Sequence, residues 1–137
     1  MPRSPRWLAA LLLVLAACAT PVGSGEISGN SWLAHDVYFE LKDDSVESCQ
    51  ALVDACWREL AEIDGIRFFA TGTRAPGLER EVNDLGFDVS LHIVFENRAA
   101  HDAYQTDPRH EALVDAFAQS WASVRVFDSI VDARVDP

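Results

Sequence analysis

From Leu33 to Lys42 apolar and polar residues alternate: His35, Val37, Phe39 and Leu41 fall on one side, Asp36, Tyr38 and Glu40 on the other. A period of two marks a strand with one buried face. Asp43-Asp44-Ser45 interrupts it, and Asp44 with Glu47 three residues on predicts a capping box. Val46, Cys49, Leu52, Val53, Cys56, Leu60 and Ile63 then follow helical spacing, with Gly65 as the stop. A second strand is expected over 66–74 and an exposed loop over 75–86, where Pro, Gly and charge gather. The third strand, 87–96, sets Val89, Leu91, Ile93 and Phe95 against Asp88, Ser90, His92 and Glu96. Asn97 predicts the cap of a short helix through Gln105, and Asp107-Pro108 predicts a second helix start. His110, Leu113, Val114, Phe117 and Trp121 carry that helix's stripe, and 124–132 reads as the last strand.

The order β-α-β-β-α-β is that of an α+β, ferredoxin-like sandwich, with helices on one face of a four-stranded sheet. The other face is expected to carry Tyr38, His92 and Val94, with aromatics such as Phe69 or Phe127. An apolar sheet face left open is unfavourable in a monomer, so the pattern calls for a symmetric dimer.

The first 17 residues read differently. Arg3 and Arg6 precede an apolar run, Trp7–Ala17, which is too short to span a membrane and has the layout of a signal peptide. Leu15-Ala16-Ala17-Cys18 resembles the lipobox of bacterial lipoproteins. That resemblance implies a lipid on Cys18 and an exported protein anchored to the cell envelope, at the outer membrane in a Gram-negative cell. Residues 18–31 contain Gly, Ser and Pro without an apolar period and are expected to form a flexible tether. The domain then covers 32–133, and 134–137 is a short tail.

Charge narrows the partners. Among 137 residues, 22 Asp and Glu oppose 11 Lys and Arg, a net charge of −11. Loss of Arg3 and Arg6 with the leader would deepen it to −13. Such a surface repels phosphate backbones, so no nucleic-acid partner is expected, and membrane contact is expected only through the lipid. Cys49 and Cys56, seven apart on one helix, stand too far apart for a disulfide and read as core residues. No Cys/His ligand spacing is present, so neither a metal nor another cofactor is expected.

Five segments carry a family likeness: His35–Lys42, Gly72, Gly86-Phe87, Ala103–His110 and Val126-Phe127-Asp128. In this order and spacing, from Leu33 to Asp132, the chain resembles the stress-responsive α/β-barrel (Dabb) family. The resemblance implies two ferredoxin-like sheets joined into a dimeric α/β barrel. Plant members include polyketide cyclases such as olivetolic acid cyclase, in which a Tyr–His pair handles protons during ring closure. By that likeness His110, Tyr104 and His35 are the candidate catalytic residues, and Val37, Phe39, Val53, Phe117 and Trp121 the candidate pocket. A helix N-terminus disfavours an imidazolium, which suits His110 to accept a proton, and a tyrosine hydroxyl can donate one. Two departures argue against the cyclase's own substrate. Val89 stands where such relatives carry a histidine, and smaller residues around Val53 and Cys56 replace bulky aromatics.

Two functions remain open at this level. One is a dimeric domain that binds a small hydrophobic molecule, with weak proton transfer at Tyr104 and His110. The other is a non-catalytic interaction module in which His35, Tyr104 and His110 only pack and hydrogen-bond, with Phe39, Phe117 and Trp121 filling the space between sheet and helices. His92 is expected at the dimer face and His101 on a solvated helix. Glu79, Arg80, Glu81 and Asp84 are expected in a solvated loop, Trp57 half exposed, and Trp121 in a helix.

Overall fold

The computed structural model describes residues 31–132. The leader, Cys18, the tether up to residue 30 and the tail lie outside these residues. Strand β1 (Trp32–Leu41), helix α1 (Val46–Leu60), strands β2 (Ile66–Thr73) and β3 (Val89–Phe95), helices α2 (Arg98–Gln105) and α3 (Pro108–Phe117), and strand β4 (Trp121–Val131) follow in that order. The strands form one antiparallel sheet in the order β2-β3-β1-β4. The fold is the expected ferredoxin-like sandwich, its second helical segment divided in two.

The alternation in β1 and β3 decides which face is covered. Leu33, His35, Val37, Phe39 and Leu41 are buried on β1, as are Val89, Leu91, Ile93 and Phe95 on β3. Leu52, Ala55, Cys56 and Leu60 of α1 pack against this layer with Leu113 of α3. Cys49 and Cys56 are buried free thiols within it. Burial pushes the Cys56 thiol up to about 12, which suits a packing residue rather than a nucleophile.

Four local expectations need correction. Ser45, not Asp44, caps α1: its hydroxyl accepts from the Ser48 amide at 3.3 Å, while Asp43 accepts from both serines. The extended backbone of Ser45 places its short side chain over the open first turn. Helix α1 ends at Leu60, and Gly65 instead turns the chain into β2 with φ +85°. A Cβ there would stand 2.5 Å from the Ala100 Cβ, so the position also lets α2 approach closely. Phe69 lies on the helix side, opposite Ile93 and against the ring of Trp57, while Phe68 takes the open face. The irregularity between Ile66 and Phe68 shifts the alternation.

Trp121 is the fourth correction. Helix α3 stops at Phe117, a single 3₁₀ turn follows, and Trp121 begins β4 opposite Leu41. The Ser120 carbonyl accepts from the Lys42 amide at 2.9 Å, which ties the turn to the end of β1. The indole then packs on Phe39, with ring centroids 5.1 Å apart.

On the open face Tyr38 gathers Phe87, His92 and Phe127, all within 5.8 Å between ring centroids. His92 lies there as expected, its Nδ1 2.7 Å from Asp36 Oδ1. Strand β4 is an edge strand with few helical neighbours. Val124, Val126 and Ile130, which share the helix-side row with β1's buried residues, therefore remain partly exposed, as does Phe127 behind them.

Candidate functional site

β1 lies in the interior of the sheet, and its His35 projects toward α2 and α3 rather than toward solvent. Antiparallel pairing with β4 sets Asp128 directly opposite His35. Their side chains meet, His35 Nδ1 to Asp128 Oδ1, at 2.6 Å. Two helices supply the rest. The Asn97 cap starts α2 so that His101 and Tyr104 face inward, and the Asp107 cap starts α3 with His110 in its first turn. The rings then form a chain: His101 to His35 at 5.2 Å, His35 to Tyr104 at 5.9 Å, and Tyr104 to His110 at 4.5 Å.

A cavity of about 140 Å³ adjoins this chain. Its walls include His35, Val37, Phe39, Tyr104, His110 and Trp121, all six of them expected at the site. Val53 and Phe117 are not among its lining residues. Val53 is buried in the core layer of α1, and Phe117, at the end of α3, packs against the core instead. Leu91, Leu113, Val124 and Val126 complete the apolar wall. A larger depression, about 520 Å³, lies on the open face over Tyr38, Phe87, Arg125 and Phe127. It is shallow and holds the Arg125–Asp84 ion pair, whereas the smaller cavity touches the titratable rings. The smaller one is the chemical candidate.

Burial sets the protonation of the two central groups. It pushes the Tyr104 hydroxyl well above its ordinary value, with Cys56 and Asp107 adding to the effect, so the phenol stays neutral. His110 is held below the ordinary imidazole value of 6.5, first by burial; its bond to the Gln105 carbonyl works the other way, and His35 adds to the lowering. Its Nδ1 lies 3.3 Å from that carbonyl, so in the neutral ring that burial favours Nδ1–H donates and Nε2 is left as the acceptor. A neutral base beside a neutral phenol is therefore present. The Trp121 indole N–H, on the same cavity wall, is buried with no hydrogen-bond partner among the described residues.

Two residues of this cluster escaped the sequence reading. His101 is buried beside His35 rather than on a solvated helix surface. Asp128 was legible in principle: Val124, Val126, Asp128 and Ile130 form one alternating row, and Asp128 is its single charge.

The family model for the stress responsive A/B barrel domain (Dabb) matches residues 33–131. The chain belongs to this family. Solved structures agree on the Dabb fold. A dimeric ferredoxin-like protein from Thermobifida fusca is 19% identical, with a TM-score of 0.63, over 74% of this chain and 92% of its own. A Dabb family protein from Mesorhizobium loti is 24% identical, with a TM-score of 0.60, over 75% and 99%. The hydroxynitrile lyase of Passiflora edulis is 15% identical, with a TM-score of 0.63, over 78% and 99%. No curated protein matches the chain by sequence.

The lowered His110 value fixes a pH dependence. The unfolded chain takes up the imidazole proton first as pH falls, so stability is fully present above 6.5 and declines below it. The carboxyls of Asp84, Asp102 and Asp107, held below their ordinary 3.8, act only in a more acidic range. Urea unfolding between about pH 7 and pH 5.5 is expected to show a loss of stability in the wild type and a shallower loss in His110→Gln. Equal slopes would mean that His110 is not kept neutral by the fold.

Proposed function

We propose that this Dabb domain binds a small hydrophobic molecule bearing a hydroxyl or carbonyl group, and that Tyr104 and His110 move a proton on it. The cavity carries this reading, because its mainly apolar walls set Tyr104 and His110 side by side, with His35, Gln105 and the Trp121 N–H as the other polar groups. Its size limits the ligand: ~150 Å³ of apolar cavity holds a benzene-sized molecule. An oxygen on the ligand would satisfy the Trp121 N–H, which otherwise bears a desolvation penalty of about 1–3 kcal/mol. His110 Nε2 then accepts a proton from the ligand, while the neutral Tyr104 hydroxyl stabilises the developing oxyanion. Asp128 orients His35 at the far end of the same wall. That a hydroxynitrile lyase shares this fold supports a catalytic reading.

The working form in this proposal is a homodimer. Tyr38, Phe87 and Phe127 line an open sheet face, and Phe68 and Ile130 are half exposed, which is more apolar surface than a monomer tolerates well. Relatives of this fold are described as dimeric. Export and lipid anchoring through Cys18, with residues 18–31 as the tether, complete the proposal and rest on the leader pattern.

Three measurements follow from these readings. Small aromatic aldehydes and phenols are expected to raise the melting temperature of the wild type. His110→Ala should lose most of that rise and Tyr104→Phe should keep binding, whereas equal shifts in wild type and His110→Ala remove His110 from the site. Light scattering should give twice the chain mass, and Phe127→Arg should shift it toward one; a wild-type monomer refutes the dimer. Cys18→Ser should release the protein from membranes, and unchanged retention contradicts the lipid.

A further inference from the structure

Three metal-ligating side chains from three different elements converge beside the cavity. His35 comes from β1, His101 from α2 and Asp128 from β4, and one ligand atom of each lies within 4.8 Å of the other two. Asp128 Oδ1 is their common point, 2.6 Å from His35 Nδ1 and 3.9 Å from His101 Nε2. Metal–nitrogen bonds of ~2.0–2.1 Å place ligand atoms about 3.3 Å apart around a tetrahedral ion. The two observed distances bracket that value. The same bond lengths place two imidazoles on one ion with ring centroids about 5 Å apart. The centroids of His35 and His101 are 5.2 Å apart.

The surroundings prepare the ligands. His101 Nδ1 lies 3.1 Å from Asp102 Oδ1, so this nitrogen carries the proton and Nε2, 3.9 Å from Asp128 Oδ1, keeps its lone pair. The Gln105 amide, 3.1 Å from Nε2, agrees with that polarity, since its NH₂ can only donate. A carboxylate behind a ligating histidine fixes tautomer and ring orientation in metal sites generally. Here Arg98 holds that carboxylate in turn, at 2.7 Å. Both imidazoles are buried, whereas the Asp128 side chain is half exposed and opens the cluster to solvent. A cation entering there would replace the proton between His35 and Asp128 and displace the Gln105 amide.

We propose that His35, His101 and Asp128 bind a divalent first-row transition ion, with Zn²⁺ the best match to two imidazoles and one carboxylate. Three protein ligands leave at least one coordination position, and of the three His35 also lines the cavity, which links the two sites through one side chain. The absence of any ligand spacing in the sequence does not oppose this. Ligands gathered from three elements leave no such spacing.

The test needs no organic ligand and stands apart from the outcome for the cavity. The full chain, purified without a polyhistidine tag and stripped with chelator, is titrated with Co²⁺ and followed by its visible d–d absorption. One equivalent should bind and be displaced by Zn²⁺. Asp128→Asn, at a half-exposed position, should weaken binding at least tenfold with unchanged circular dichroism, and Asp102→Asn should weaken it about 10–100-fold. No stoichiometric binding by the folded wild type overturns the proposal. So does an Asp128→Asn variant that retains wild-type affinity, which would place the ion elsewhere.

Discussion

The antiparallel pairing of β1 with β4 is the constraint on which the candidate site depends. It carries the chain from Trp121 back along β1, so that Val124, Val126 and Asp128 stand opposite Phe39, Val37 and His35. One pairing therefore builds the far wall of the cavity and supplies the carboxylate that holds His35. A slip of one residue would turn Asp128 to the open face and bring Phe127 inward. The Ser120–Lys42 backbone bond and the Phe39–Trp121 contact fix the start of this strand. Register here is chemistry as well as architecture.

The same strand explains why the sheet wants a partner. Helices cover the side of β2, β3 and β1, but β4 lies at the edge with apolar residues on both faces. An edge strand of eleven residues, carrying Phe127, Val126 and Ile130, is a template for pairing unless something covers it. A second copy, as proposed above, would meet that need and shield the open face as well. Acidity complements this arrangement, because a strongly negative surface opposes association beyond the specific contact.

Much of this was legible from periodicity. Period two in β1 and β3 assigns every buried residue of those strands, and the Asn97 and Asp107 caps place α2 and α3. His35, Tyr104 and His110 were named from a family likeness, and the structure brings them to one cavity. What periodicity missed shares one cause. Trp121 continues the helical spacing of α3, yet tertiary pairing with Leu41 claims it for a strand. Phe69 reads as open-face until an irregularity in β2 changes the phase. His101 looks solvated on a polar helix, and only the packing of α2 over His35 and Phe95 buries it. In each case a long-range contact overrides a local pattern.

The central claim is that the rings of Tyr104 and His110 face a cavity that accepts a small polar aromatic molecule. Imidazole NMR addresses it with a control inside the same protein, because His92 lies across the sheet, bonded to Asp36. On titration with phenol, the ring signals of His110 and His35 should move together and saturate, while those of His92 stay in place. Unmoved His110 signals at saturating phenol, or movement confined to His92, would contradict the account.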